Sequence, residues 1–302
     1  MRIAVTGASG FIGGAVASAL AREHHEVVGF GRTPHGWAHP HAGYRVWDIA
    51  AGPLRGDRDF EAVVHCAALA DDAAPLTQAM RVNRTGTRHV VASFPGARIV
   101  HLSTASVYDA FTPTVLARED AAPVNRFLSS YAESKTFAEF EVSGADAVIL
   151  RPHAVYGPGD TTLLPRVLEA VRGGRLVLPE GARVLHSLTR IDHLVDAVRL
   201  ALRAPAGVYN IADAEPVLLA ELLKEFLRRR GVAARIRSLP YPVAFGLAGA
   251  AERLARIRGG RARLTRYAVS QLGLERTLEL TAARERLGYR PGPTSLHGAE
   301  RW

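Results

Sequence analysis

Ile3-Ala4-Val5-Thr6-Gly7-Ala8-Ser9-Gly10-Phe11-Ile12-Gly13 is the stretch on which the fold turns. Ile3 to Val5 is a short apolar run of the kind that fills a buried strand, and residues 12–21 carry a helical pattern. Between them glycine recurs at 7, 10 and 13, a G-x-x-G-x-x-G spacing. Glycine lets the backbone turn tightly and approach a pyrophosphate. The helix that follows offers that anion unpaired N–H groups and its positive dipole end. The spacing is not the G-x-G-x-x-G of the simplest dinucleotide fingerprint. Gly7, Ser9, Gly10, Phe11, Ile12 and Gly13 are the candidate phosphate-binding residues; a glycine turn without a ligand is the alternative.

Outward from this motif, strand-like runs at 26–30, 44–47, 62–66, 98–102 and 147–150 alternate with helical patterns, among them 76–94 and 131–142. That alternation predicts βαβ units: an α/β fold with a Rossmann-like, doubly wound parallel sheet covered on both faces. Beyond Arg151-Pro152 the texture changes, with a glycine- and proline-rich loop at 157–160 and amphipathic stripes at 194–202 and 219–226. The expected division is a dinucleotide domain over 1–155, with 187–213 as a segment able to return to it. A smaller α/β substrate lobe would span 156–302.

The 302 residues are 48% hydrophobic and 22% charged, the balance of an ordinary globular protein. The net charge of +9 suits an anionic partner such as a phosphorylated cofactor, a membrane surface or nucleic acid, or a merely solvated arginine surface. Nucleic acid has no support beyond the charge. Lys135 and Lys224 are the only lysines, so each merits a question. The lone cysteine, Cys66, reads as a small hydrophobe, and the histidines show no metal-ligand spacing, so no metal site is expected. No signal-peptide pattern precedes the first strand, which suggests a cytoplasmic protein. The apolar stretch 242–251 is too short to span a bilayer. It could line a pocket for a hydrophobic substrate or be an ordinary core helix. With the arginines over 253–266 it could also give weak surface association.

After the second strand stands Gly31-Arg32-Thr33, where an acidic residue would favour NAD(H). An arginine fork donates bidentately to a 2′-phosphate, so Arg32 predicts NADP(H); a surface arginine touching nothing is the alternative. Tyr131-Ala132-Glu133-Ser134-Lys135 places a phenol and an ammonium at i and i+4 on one helix face. Such a cation is expected to lower the phenol below its ordinary value of about 10 and suit it to proton transfer. A hydroxyl from Leu102-Ser103-Thr104-Ala105-Ser106 would stand at the carboxyl end of the fifth strand, where parallel-sheet sites gather.

TGASGFIG, HCAA at 65–68, VNRTGT at 82–87, LSTASVY at 102–108, YAESK at 131–135 and RPHAVYGPGD at 151–160 occur in that order. The set resembles the extended short-chain dehydrogenase/reductase family, also called the NAD-dependent epimerase/dehydratase family, over essentially the whole chain. The resemblance implies Tyr131 as catalytic acid/base, Lys135 also on the nicotinamide ribose, and Thr104 as the catalytic hydroxyl, with Ser103 the near alternative. It implies Asp48 and Ile49 at adenine, Ala67 and Ala68 along the dinucleotide, Asn83 near the active site, and Pro152 and His153 beside the nicotinamide. It also implies a small-molecule substrate and a homodimer. Residues 151–168, 187–198 and 264–291 look most like the 3β-hydroxysteroid dehydrogenase-like branch, which includes ketoreductases acting on sterols or β-keto acids. His153-Ala154 and Ile191-Asp192-His193 depart from the nucleotide-sugar pattern, which lowers an epimerase, reductase or dehydratase of sugars to second place. A non-catalytic NADP(H)-binding protein has no need of Tyr131, Lys135 and Thr104 together.

Overall fold

The computed structural model describes residues 1–262 and 264–302; Arg263, part of the basic run noted above, lies outside them. In chain order come β1 (Arg2–Thr6), α1 (Phe11–Arg22), β2 (Glu26–Gly31), β3 (Gly43–Val46) and β4 (Ala62–His65). Then follow α2 (Leu76–Ala79), a π-helical turn (Met80–Thr85), α3 (Gly86–Ser93), β5 (Arg98–Leu102), β6 (Thr114–Ala117), α4 (Ser130–Val142) and β7 (Ala147–Pro152). The later part holds β8 (Val155–Tyr156), α5 (Leu164–Ala170), β9 (Arg175–Pro179), β10 (Leu185–His186), β11 (Thr189–Arg190), α6 (Ile191–Ala201) and β12 (Gly207–Ile211). It ends with β13 (Val217–Leu218), α7 (Leu219–Arg229), β14 (Arg235–Leu239), α8 (Tyr241–Ile257), α9 (Arg266–Gly273) and β15 (Arg276–Leu278). The helix expected as one piece over 76–94 is interrupted by the π turn, which contains Asn83.

The main sheet has seven strands in the order β12-β7-β5-β4-β1-β2-β3, each pair parallel. This is the doubly wound arrangement that the alternation predicted, and its order reverses between β1 and β4. Ligand crevices of such sheets open at that reversal, beyond the carboxyl ends of the strands. The strands read as continuous apolar runs because helices cover both faces. On one face Ile3, Val5, Val64, Val100, Val148 and Leu150 pack with α1 and α6 through Val16, Leu20, Leu194 and Val198. On the other, Phe30, Trp47, Phe60 and Phe94 form an aromatic cluster, with Phe60 and Phe94 edge-to-face at 5.5 Å. A four-stranded sheet, β13-β10-β15-β6, and the pairs β11-β8 and β14-β9 build the smaller lobe.

Candidate active site

The glycine turn is held by close backbone approaches. Gly7 has φ +71°, and a Cβ there would stand 2.8 Å from Ala67 N. A Cβ on Gly13 would stand 2.1 Å from Gly7 O, so α1 can begin this close to β1 only with glycine at that position. Gly10 caps α1 without a side-chain hydrogen bond, which leaves the first-turn N–H groups to an outside acceptor. Arg32 is exposed just past the end of β2 and makes no ion pair among the described residues. Asp48 is exposed and accepts from Ala50 N–H at 3.0 Å, while Ile49 is buried against Gly86. Ala67 is half-buried beside Gly7, and Ala68 is exposed. These positions fit a dinucleotide: a cradle that a Cβ would fill, a free helix N-terminus and a cation at the strand end.

A buried polar chain supports the loop after β4. Thr6 Oγ1 accepts from Ala67 N–H at 3.2 Å and lies 2.7 Å from His65 Nδ1; His65 Nε2 lies 2.9 Å from Thr87 Oγ1, which donates to Asn83 O. The network satisfies both nitrogens of a neutral imidazole, and burial holds His65 down at about 3. Asn83 spends its amide on protein: Oδ1 accepts from Leu69 N–H at 2.7 Å, and Nδ2 donates to Leu69 O at 3.1 Å and Ser134 Oγ at 2.8 Å. It clamps the 69–72 loop to α4, a supporting place in the site.

At the carboxyl end of β5 the two candidate hydroxyls separate. Ser103 donates to the Glu139 carboxylate and is turned inward. Thr104 stands beside the Tyr131 phenol, donates to Ser106 Oγ at 2.9 Å and accepts from Ser106 N–H at 3.1 Å. Ser106 Oγ in turn lies 2.6 Å from the phenol oxygen of Tyr267, on α9. Thr104, Ser106 and Tyr267 thus form one row of hydroxyls that runs from beside Tyr131 to the smaller lobe. Tyr267 was missed at the level of sequence because nothing local ties it to Tyr131. The loop is also fixed from that side: Thr265, the N-cap of α9, donates to Asp72 at 2.6 Å.

Ser129 caps α4 by accepting from Ala132 N–H, and the helix brings Tyr131, Lys135 and Glu139 onto one face. Lys135 is fully buried; its ammonium donates to Leu102 O at 2.7 Å and to His101 Nε2 at 3.1 Å. An ammonium has no acceptor, so His101 accepts through Nε2 and carries its proton on Nδ1, which has no partner. Burial lowers Lys135 from 10.5 to about 8, against the raising pull of Glu139. The expected lowering of Tyr131 is corrected here. Burial raises the phenol, opposed by the neighbouring Thr104 hydroxyl, while the ammonium is directed to Leu102 and His101. Behind this face, Arg151 pairs bidentately with Glu139 at 2.9 and 2.7 Å, both side chains buried.

Pro152 ends β7, and His153 follows with Nδ1 2.6 Å from Ser187 O and Nε2 3.3 Å from Gln271 Oε1. Both ring nitrogens therefore face protein. A small cavity beside His153 is lined by Ala105, Tyr108, His153, Gln271, Arg276 and Leu278 among others. The apolar stretch 243–251 does not line it: within α8 the residues turned inward are Ala244 and Ala248, and Val243 and Leu247 are exposed. Cys66 is half-buried with its thiol pushed up to about 12 by burial, the state of an inert side chain.

Residues 3–212 match the model of the NAD dependent epimerase/dehydratase family. The chain is 31% identical to a 4-hydroxy-2-methyl-3-oxo-4-farnesyl-3,4-dihydroquinoline-1-oxide ketoreductase of Stigmatella aurantiaca, over 99% of this chain and 95% of that one. It is 30% identical to a 2-alkyl-3-oxoalkanoate reductase of Stenotrophomonas maltophilia, over 100% of this chain and 98% of that one. A UDP-glucuronic acid 4-epimerase from Bacillus cereus, solved with NAD, superposes with a TM-score of 0.75 at 21% identity, covering 99% of this chain and 96% of that one. At that identity the likeness is one of fold.

Proposed function

The chain belongs to the NAD-dependent epimerase/dehydratase family and is an NAD(P)-dependent oxidoreductase acting on CH–OH groups, and from that premise we propose that it interconverts a ketone and a secondary alcohol on a hydrophobic substrate with NADP(H). The observation that carries the proposal is the placement of the Tyr131 phenol beside the Thr104 hydroxyl, just past the end of β5, with the buried Lys135 one helical turn along α4.

The dinucleotide, held by the 7–13 turn and by Arg32, supplies or accepts hydride when bound. Tyr131 gives its proton to the carbonyl oxygen during reduction, and Thr104 turns its hydroxyl proton from Ser106 to that same oxygen. The raised phenol is protonated at neutral pH, which suits the donor of the reducing direction. Lys135, one turn along α4 from Tyr131, keeps one ammonium N–H beyond those given to Leu102 and His101 and is the group available to the ribose. Arg32, with no carboxylate partner among the described residues, supports NADP(H) over NAD(H). The substrates for which the two ketoreductase relatives are named, carbonyl compounds bearing a farnesyl or an alkyl group, support a hydrophobic ketone. Residues 156–302, apart from α6 and β12, are the proposed substrate lobe.

Tyr131→Phe is expected to lower NADPH-dependent turnover by about a thousandfold or more, given the usual weight of a positioned proton donor. NADPH binding, read by nucleotide fluorescence, should persist. Undiminished turnover on a panel of hydrophobic ketones would remove Tyr131 from the mechanism.

A further inference from the structure

α8 leaves much of its apolar surface facing outward. A helix on a protein surface ordinarily buries its large apolar residues. Here the fully buried contact runs through Ala244 and Ala248, which meet Val269 of α9, with Tyr241 and Phe245 partly buried beside them. Four large aliphatic residues point away: Val243 is 49% exposed, Leu247 54%, Leu254 46% and Ile257 82%. Pro242, Gly246 and Ala250 complete the same outward stripe. It is too long and too continuous to be scattered surface leucine.

Charge decides what this face fits. The exposed charges on the outer side of α8 and just past it are Arg253, Arg256 and Arg258, none in an ion pair among the described residues. The helix carries one carboxylate, Glu252, and this is committed to Arg266 at 2.8 Å. Glu180, near the other end, accepts from Tyr241 N–H at 2.6 Å. An apolar stripe ending in unpaired arginines is complementary to a surface that is apolar within and anionic at its rim. At 17 residues α8 is about 25 Å long, less than the roughly 30 Å of a bilayer core, and no helix among the described residues can cross a membrane.

We propose that α8 docks flat on an anionic lipid surface, its stripe from Val243 to Ile257 in the acyl boundary and its arginines among the headgroups. α8 lies along α9, whose Tyr267 reaches the hydroxyl row, so the docked face adjoins the candidate site. This surface would hold whether or not the ketone reaction is the right one, because its test reads binding alone.

The test is co-sedimentation of the full chain with phosphatidylcholine vesicles and with vesicles holding about 30% phosphatidylglycerol, at low and high salt. Binding is expected only to the anionic vesicles and should weaken with salt. Leu247→Glu and Leu254→Glu should each weaken it about tenfold or more, since a large buried side chain is replaced by a charge. Arg253→Glu with Arg256→Glu should do at least as much, at about fivefold per arginine removed. All four positions are exposed, so thermal unfolding should be unchanged and serves as the folding control. A wild-type chain that stays in the supernatant, or binds neutral vesicles equally, overturns the proposal. So do glutamate variants that bind like wild type. A wild-type dimer that Leu247→Glu splits into monomers, with no vesicle binding, would assign the face to a second copy of this chain instead.

Discussion

Replacing Lys135 with methionine should stabilise the protein against unfolding at neutral pH relative to what a lost buried contact would suggest, and should flatten its pH profile. Lys135 ionises at about 8 in the fold against an ordinary 10.5, chiefly because burial penalises its charge. Below pH 8 folded and unfolded chains are both protonated, and the fold carries the whole penalty. Between pH 8 and 10.5 the folded chain gives up its proton first, the unfolded chain holds more protons, and stability rises with pH. Above 10.5 both are neutral and the rise stops. At about 1.4 kcal/mol per pH unit, the wild type should gain about 2.5 kcal/mol between pH 7 and 10 that the methionine variant does not. At pH 7 the variant is relieved of about 3 kcal/mol but leaves Leu102 O without its ammonium donor, at about 1–3 kcal/mol. The net effect there is near zero to about 2 kcal/mol in its favour. Urea unfolding of both proteins at pH 7, 8, 9 and 10 gives the difference, in which all other titrations common to the two cancel. A difference constant within about 0.5 kcal/mol across that range would show that Lys135 is not a penalised buried charge.

Glu139→Ala leaves Arg151 buried without its carboxylate and should cost about 3–5 kcal/mol by calorimetry; Glu139→Leu with Arg151→Met should recover most of it. Tyr267→Phe keeps the ring but removes the hydroxyl from Ser106, so kcat should fall about three- to tenfold with KM little changed. The same loss should appear in Ser106→Ala and in the double variant, and additive losses would show that the row does not act as a unit. Arg32→Ala should raise KM for NADPH about 10- to 100-fold, the worth of charged hydrogen bonds to a phosphate, and leave NADH unaffected. An equal rise for both cofactors would detach Arg32 from the 2′-phosphate.

The strand–glycine turn–helix opening and the alternation after it were legible because they are local. Period and spacing carry the parallel sheet, and the glycine at 13 answers to a backbone approach a few residues away, at Gly7. YxxxK was legible for the same reason, since i and i+4 share a helix face wherever the helix lies. What those side chains touch was not. Lys135 stands close in sequence to Tyr131, yet tertiary packing sends its ammonium to Leu102 and His101 of β5, and burial then sets the phenol higher than the local pair implied. Only packing separated Ser103 from Thr104, by placing Glu139 under one and Tyr131 beside the other. Tyr267 joins the row from a residue separation of 161, which no local pattern encodes. The apolar run in α8 shows the same division: its composition was plain from the sequence, but which side faces water depends on α9 offering a surface shaped for alanine. Periodicity is a property of the chain alone; burial, partner and protonation belong to the surroundings, and these exist only once distant segments have met.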